Sequence, residues 1–173
     1  MMKCVDGHTK SGQEAIQKGE SGEQIITQAL RRLGHRVVEN VVNKEGYEEP
    51  GWDIKVNDFL IEIKSSAGVY TDGRAASTSC LQGTKGSMSG PQPEDWRNRK
   101  YGTQGVILFN LHTKCAYLYK AEPLRKWYEA MLHREFVATG ASKNVWCNLI
   151  SWEEPEAGFI AKFNCGEIME TDL

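Results

Sequence analysis

The stretch of sequence that decides the fold covers residues 52–64 and reads WDIKVNDFLIEIK. Apolar runs flank Asn57 and Asp58, and these two residue types tolerate the positive φ angles that a two-residue β-turn requires. The stretch therefore predicts an antiparallel hairpin in which Val56 pairs with Phe59.

The predicted hairpin brings three charged side chains together. Counting outward from the turn places Asp53 directly opposite Glu62, with Cβ atoms about 4.5–5.5 Å apart. Lys64 is the next residue but one after Glu62, so it projects from the same face of the sheet. Two carboxylates at this separation destabilise a sheet unless a cation neutralises them. The hairpin thus predicts a divalent cation held beside a lysine.

A helix is predicted to precede the hairpin. Ser21 can cap this helix, Gly34 ends it, and Glu23 lies on the stripe of its apolar residues, so that this carboxylate is expected to point inward. The apolar residues of the stripe are Ile26, Leu30 and Leu33. Residues 36–42 are β-branched enough for a strand, and residues 43–51 predict a polar loop. The chain is therefore expected to begin with a helix and a strand.

The rest of the chain predicts an α/β fold with a mixed central sheet, flanking helices and no internal repeat. The further elements are a short helix at 93–100, a central strand at 105–111, its neighbour at 115–119, a helix at 123–132, and weaker strands at 145–152 and 158–163. We expect one domain with four parts, which are an N-terminal extension (1–20), a core (21–135), a long loop within it (65–104) and C-terminal strands that pack on the core (136–173).

Composition narrows the class of protein. The chain has 173 residues, of which 40% are hydrophobic and 25% charged, as is typical of a globular protein. A net charge of −2 excludes nucleic-acid binding through overall basicity, but it allows local basic surfaces beside clustered carboxylates. The five cysteines lack the paired spacing of zinc ribbons and predict reduced thiols, while a zinc site built from distant Cys and His residues stays open. With no bilayer-spanning apolar run and no signal-like N-terminus, a cytoplasmic protein is expected.

The order of the charged residues resembles the PD-(D/E)XK nuclease superfamily, in which a helix Glu, an Asp and a Glu-x-Lys triplet lie on an αβββαβ core. The resemblance spans residues 21–66. The runs Gly19–Glu23 and Ile61–Lys64 also look like the nuclease-related NERD branch and, more loosely, the archaeal Holliday junction resolvases. Trp52 stands where proline precedes the aspartate in this pattern. The resemblance implies a restriction-endonuclease-like fold.

The same resemblance implies a Mg²⁺- or Mn²⁺-dependent DNA endonuclease. Its catalytic residues are expected to be Glu23, Asp53, Glu62 and Lys64. Asp53, Glu62 and the backbone carbonyl of Ile63 are implied as metal ligands. Lys64 is expected to orient or deprotonate the attacking water or to stabilise the transition state, and Glu23 to hold the hydration shell or a second ion.

Several alternatives stay open at the level of sequence. The enzyme can act in restriction, in recombination or repair, or as a phage or mobile-element protein, and its substrate can be RNA or single-stranded DNA instead of duplex DNA. A binding module that kept the fold without catalysis and a regulator built on a Cys/His metal site are the remaining classes. A rival alignment makes Asp53 and Lys55 the catalytic pair, with Glu39 as the upstream acid.

Contacts to the substrate and the assembly state are also predicted. Candidate nucleic-acid-binding residues are Ser65, Ser66, Arg74, Lys85, Arg97, Arg99 and Lys100. A homodimer is expected because cutting both strands of DNA needs two active sites. The helix at 123–132 carries more apolar side chains than one sheet contact needs, namely Leu124, Trp127, Tyr128, Met131 and Leu132. If this helix packs wholly against the sheet instead, a monomer that nicks one strand is expected.

Overall fold

The computed structural model describes residues 10–41, 49–66, 75–77, 99–131, 137–138, 146–147 and 149–166. Within these ranges the chain forms two α-helices, α1 (Lys10–Arg32) and α2 (Ala121–Met131). The strands are β1 (Val37–Glu39), β2 (Ile54–Val56), β3 (Phe59–Ser66), β4 (Ala75–Ser77), β5 (Gly105–Asn110), β6 (Cys115–Lys120), β7 (Val137–Ala138), β8 (Trp146–Cys147), β9 (Leu149–Ser151) and β10 (Phe159–Asn164). Neither of the two helices described is long and apolar enough to cross a membrane.

Six strands form the main sheet, in the order β1-β2-β3-β5-β6-β10. All neighbours are antiparallel except β3 and β5, which run parallel. A parallel pair needs a long crossover connection, which here runs from the end of β3 to the start of β5. The predicted α/β fold, with a mixed central sheet flanked by helices, is confirmed.

The hairpin that was predicted from residues 52–64 is present with the predicted register. Val56 pairs with Phe59 and Ile54 with Ile61. Asn57 and Asp58 form the turn, with φ angles of 48° and 75°. Two residues in the left-handed region match the twist of the flanking strands, so the turn fixes the register locally.

The two helices lie on opposite faces of the sheet. Ile26, Ala29 and Leu30 of α1 belong to one buried cluster, and Leu124, Trp127 and Tyr128 of α2 belong to the other. Alternation along β5 serves both clusters, because Ile107 packs on the α1 side and Val106 on the α2 side. Every residue of β5 is buried, as predicted for a central strand.

The first helix is longer than predicted. It begins at Lys10, so Ser21 lies inside α1 and does not cap it. The preceding residues include good helix formers such as Gln13, Glu14 and Ala15 and no proline, so the helix starts earlier despite Gly12 and Gly19. Gly34 ends it as predicted, with φ of 85° and its N–H donating to the Arg31 carbonyl.

Other boundaries also differ from the predictions. Leu33 follows the last residue of α1 and is 56% exposed, so the inward stripe ends at Leu30. The predicted strand at 36–42 is confined to β1. The predicted strand at 145–152 is divided into β8 and β9, and β9 pairs with β4, which lies within the region predicted as the loop 65–104. The predicted strand at 158–163 is present as β10 and joins the main sheet beside β6.

The apolar side chains of α2 that the structure describes pack against the sheet of the same chain. It begins at Ala121, and Pro123 is accommodated in its first turn, where the missing N–H costs no helical hydrogen bond. Leu124, Trp127 and Tyr128 are buried against the sheet. The prediction that these three residues are spare surface for a dimer is therefore wrong, while the side chain of Met131 and all of Leu132 lie outside the described residues. Of the predicted helix at 93–100, only Arg99 and Lys100 are described, in a short 3₁₀ helix that ends at Tyr101.

Candidate active site

Asp53 contacts β3 through hydrogen bonds to Ile61 and Ile63, and not as the predicted cross-strand partner of Glu62. The ladder between β2 and β3 ends where Ile54 pairs with Ile61, and the Asp53 N–H donates to the Ile61 carbonyl at 2.9 Å. The Asp53 Oδ2 atom then accepts a hydrogen bond from the Ile63 N–H at 2.6 Å. Asp53 and Glu62 are therefore not ladder partners, because the chain leaves the sheet register at Asp53. The Asp53 carboxylate nevertheless lies against the middle of β3.

The surroundings of Asp53 disfavour its charged form. Burial and then the nearby Glu62 carboxylate raise the pKa of Asp53 to about 8, against the opposing effects of the Ile63 hydrogen bond and the Lys64 charge. Glu23 on α1 also raises this pKa through its charge. The other three predicted catalytic residues, which are Glu23, Glu62 and Lys64, thus all lie close enough to Asp53 for their charges to affect its pKa.

Glu62 and Lys64 form a close ion pair on β3. The Lys64 Nζ lies 2.6 Å from the Glu62 Oε1, and Glu62 is only 6% exposed. Ile61 and Ile63 pack in the α1 cluster, so the alternation of the strand turns Glu62 and Lys64 toward the other face of the sheet. This pairing compensates part of the cost of burying the Glu62 carboxylate.

A glycine brings α1 close to β3. A Cβ atom added at Gly22 would lie 1.9 Å from the Ser65 Oγ and 3.0 Å from the Ser65 Cβ, so only glycine permits this approach. The contact places the adjacent Glu23 near Asp53. The sequence signal for Gly22 is a glycine within a helix, which costs about 1 kcal/mol relative to alanine unless packing requires it.

Sequence reasoning missed Asn40, which holds the loop before Asp53. The Asn40 Nδ2 donates to the carbonyls of Glu49 at 2.6 Å and Trp52 at 2.7 Å. The Asn40 Oδ1 accepts from the Glu49 N–H at 3.3 Å, and the Asn40 N–H donates to the Asp53 carbonyl at 2.8 Å. One asparagine therefore ties the end of β1 to both ends of the loop.

A buried polar link holds the same loop from the other side. The Thr103 hydroxyl donates to the carbonyl of Gly51, a residue with φ of 90°. Arg125 on α2, which is 4% exposed, donates to the Thr103 carbonyl at 3.0 Å and pairs with Glu122 at 3.3 Å. The loop that leads to Asp53 is thus fixed to both β1 and α2.

The predicted metal ligands Asp53 and Glu62 interact with one another and provide hard carboxylate oxygens, which suit Mg²⁺ or Mn²⁺. Among the residues that the structure describes, no group of three or more His, Cys, Asp or Glu side chains is arranged to hold a metal ion. Mg²⁺ commonly binds one or two carboxylates and keeps several waters, so a two-carboxylate set fits this ion. The Ile63 N–H is used by Asp53, and the role of the Ile63 carbonyl as a ligand stays a prediction.

The predicted nucleic-acid-binding residues fall into three groups. The Ser65 Oγ is buried against Gly22 of α1 and has no hydrogen-bond partner in the described part of the chain, so its hydroxyl faces the helix and not solvent. Ser66 ends β3. Arg99 and Lys100 are described, whereas Arg74, Lys85 and Arg97 lie outside the described residues.

Arg99 and Lys100 contact neighbours other than the site carboxylates. The Arg99 Nε and Nη2 atoms each lie 3.3 Å from a carboxylate oxygen of Glu122 on α2. The Lys100 Nζ lies 4.6 Å from the centre of the Tyr101 ring. Their contact with nucleic acid stays a prediction.

The rival alignment does not fit the sheet. Glu39 pairs with Ile54, so it shares the α1 face, where it forms an ion pair with Arg31 at 2.8 Å. Lys55 pairs with Val38 and projects from the opposite face, with its Nζ over the Trp52 ring. Glu39 and Lys55 therefore cannot meet across one face of the sheet.

Comparison with known proteins gives little beyond the geometry. No protein-family model matches the chain, and no curated protein matches it. Among solved structures, the chain is similar to a bacterial homing endonuclease, I-Ssp6803I, with a TM-score of 0.48 and 11% sequence identity over 64% of this chain and 72% of that one. A likeness at this level assigns no activity to the chain.

Proposed function

We propose that the chain is a metal-dependent nuclease that hydrolyses phosphodiester bonds in DNA at the site formed by Glu23, Asp53, Glu62 and Lys64. The observation that carries this proposal is the packing of the half-buried Asp53 carboxylate and the buried Glu62 carboxylate beside the Lys64 ammonium, which lies 2.6 Å from Glu62. Like charges buried together cost stability, and such arrangements concentrate at functional sites.

Mg²⁺ or Mn²⁺ is the proposed cofactor, with Asp53 and Glu62 as its protein ligands. When bound, such an ion lowers the pKa of a water molecule and offsets charge that builds up on the phosphate. The Ile63 N–H holds one oxygen of the Asp53 carboxylate and thereby sets its direction. Glu62 is held in place by Lys64, so both ligands are positioned before any ion arrives.

Lys64 and Glu23 complete the proposed chemistry. The Lys64 ammonium supplies positive charge where the phosphate becomes more negative, and it can orient the attacking water. Glu23 acts on Asp53 through charge, as its effect on the pKa of Asp53 indicates. It is proposed to bind water molecules of the hydrated ion.

An active enzyme is favoured over a binding module that has lost catalysis. A module needs positive charge for phosphates but has no use for two carboxylates packed together, which repel phosphate. DNA is proposed as the substrate and RNA or single-stranded DNA as the alternative, since the metal chemistry is the same for each. A homodimer is proposed for cutting both strands, because the described residues of each chain provide one such site.

The test is cleavage by purified protein of plasmid, single-stranded DNA, a four-way junction and RNA, each with Mg²⁺ and with EDTA. Cleavage that needs the metal supports the proposal, and the substrate that is cut selects between DNA and RNA. Binding of nucleic acid without cleavage of any of the four substrates would identify a binding module instead. Light scattering at micromolar protein, with and without DNA, tests the homodimer.

A further inference from the structure

We infer that Asn40 is a positioning residue for Asp53, fixing the direction of its carboxylate through the loop from Glu49 to Trp52. The side chain of Asn40 does not face the proposed metal ligands; it makes its hydrogen bonds to backbone groups of this loop. The inference deepens the proposed function, and only its metal-binding consequence rests on that function.

The direction of a side chain from its backbone is set by the two peptide groups that flank its Cα atom. The peptide group before Asp53 is held at its carbonyl end by the Asn40 Nδ2, at 2.7 Å, and at its N–H end by the Ile61 carbonyl, at 2.9 Å. The peptide group after Asp53 is held at its carbonyl by the Asn40 N–H, at 2.8 Å. The Asn40 side chain therefore supplies the bond to the peptide group before Asp53, and its backbone N–H, which an alanine would also offer, supplies the bond to the peptide group after it.

The chemistry of the amide explains why asparagine stands here. The side chain donates both N–H groups, to the carbonyls of Glu49 and Trp52, and its oxygen accepts from the Glu49 N–H. An aspartate of the same shape offers no donor, so its oxygens would face two carbonyl oxygens. Alanine offers neither group and leaves the carbonyls to water.

Loss of this anchor changes the carboxylate itself. Asp53 reaches Ile63 through a hydrogen bond of 2.6 Å, which a rotation of the flanking peptide groups lengthens. The same rotation moves the carboxylate relative to Glu62 and weakens any ion that the two share. Removing partners that orient metal ligands typically costs about 10-fold to 100-fold in metal affinity.

The chain offers a matched control at the other end of the same hairpin. Asn57 also links β1 to the hairpin, because its Oδ1 accepts from the Arg36 N–H at 3.1 Å and its Nδ2 lies 3.1 Å from the His35 Nδ1. Its φ of 48° adds backbone strain to any alanine substitution. Asn57→Ala therefore destabilises the same strands without touching the Asp53 loop.

The experiment compares Asn40→Ala with Asn57→Ala by two readouts. The first is the ¹H–¹⁵N signal of the Ile63 amide in EDTA, which reports the hydrogen bond to Asp53 without any metal. We expect this signal to move upfield and its hydrogen exchange to speed up in Asn40→Ala, and to stay at the wild-type position in Asn57→Ala. The second readout is Mn²⁺ affinity, which is expected to fall about 10-fold to 100-fold in Asn40→Ala only.

Each outcome has one meaning. An unmoved Ile63 signal in Asn40→Ala, or an equal change in both variants, overturns the positioning role. A moved Ile63 signal in a protein whose wild type binds no Mn²⁺ supports the positioning role and contradicts the proposed function. If Asn40→Ala does not fold, Asn40→Ser, which keeps one hydroxyl donor, replaces it. We then expect the same changes in the Ile63 signal and in Mn²⁺ affinity, but smaller ones.

Discussion

The Asp53 carboxylate and the Ile63 backbone N–H are joined by a hydrogen bond of 2.6 Å that crosses from the start of β2 to the middle of β3. This bond draws a carboxylate toward a strand that already carries the buried Glu62. A hydrogen bond from a neutral donor favours the ionised form of Asp53, yet burial and Glu62 outweigh it and raise the pKa of Asp53 to about 8. The free protein therefore keeps a proton on Asp53 near neutral pH, and a cation that replaces this proton would offset the repulsion between the two ionised carboxylates.

The raised pKa of Asp53 predicts how stability depends on pH in EDTA. The folded protein holds the proton up to about pH 8, whereas the unfolded chain releases it near pH 3.8. Between these values the folded state binds more protons than the unfolded state, so the contribution of Asp53 to stability is full below this window and falls as pH rises through it. Urea denaturation at several pH values in EDTA measures the effect.

Asp53→Asn is the control for this pH dependence. Asparagine resembles the protonated acid and does not titrate, so the variant should gain free energy of unfolding relative to the wild type as pH rises from about 4 to 8. The melting temperature of Asp53→Asn in EDTA at pH 8 should then exceed that of the wild type. A difference between the two proteins that does not change with pH would refute the raised pKa.

Metal binding should stabilise the folded protein. A ligand that binds only the folded state at a free concentration of 100 times its Kd adds about 2.7 kcal/mol, or roughly 5–10 °C in melting temperature for a domain of this size. Differential scanning fluorimetry with Mg²⁺, Mn²⁺ and EDTA measures the shift. It should disappear in the Asp53→Ala, Glu62→Ala double variant, and an equal shift in that variant would place the ion elsewhere in the chain.

The two lysines near the hairpin should differ in their effect on cleavage. Lys64 pairs with Glu62 at 2.6 Å, whereas the Lys55 Nζ lies over the Trp52 ring at 5.5 Å. Lys64→Ala should lower the cleavage rate by about 10²–10³-fold, as the loss of one group that stabilises transition-state charge does, and Lys55→Ala should cleave at close to the wild-type rate. The reverse order of rates would restore the rival alignment.

Gly22 should not tolerate a larger side chain, because Ser65 on β3 occupies the space that the side chain would need. A Cβ at this position meets the Ser65 Oγ at 1.9 Å, so Gly22→Ala should destabilise the protein by about 1–3 kcal/mol even though alanine favours a helix by about 1 kcal/mol. Ser65→Ala removes the buried Oγ and should reduce this penalty in the double variant. Chemical denaturation of the four proteins in this cycle gives the coupling, and strict additivity would exclude the contact.

The sequence predicted the parts of the fold and site that depend on local signals. The turn at Asn57 and Asp58 sets the hairpin register through backbone conformation alone, and the spacing of Glu62 and Lys64 puts them on one face. The predicted pairing of Asp53 with Glu62 was wrong, because it assumed that the β2–β3 ladder continues to Asp53. In the structure the ladder ends at Ile54, and the Asp53 side chain accepts a hydrogen bond from the Ile63 N–H instead.

The missed features depend on partners that are distant in sequence. The Asn40 side chain bonds to the backbone carbonyls of Glu49 and Trp52. Every residue has a backbone carbonyl, so the sequence contains no pattern that identifies these partners. Gly22 matters because of Ser65, and nothing in the helix itself indicates which strand it touches. The start of α1 was misplaced because Ser21 has the chemistry of a helix cap, although the residues before it also favour a helix.

The most direct test of the proposed catalytic centre is the Mg²⁺-dependent cleavage rate of Glu62→Gln beside that of Glu153→Gln. Glu62 pairs with Lys64 within the site, and Glu153 pairs with Lys162 at 3.3 Å on the surface, so each variant removes one charge from one ion pair. We expect Glu62→Gln to stay folded and to lose cleavage by at least about 10²–10³-fold, while Glu153→Gln keeps the wild-type rate. Wild-type cleavage by Glu62→Gln would contradict the assignment of this site.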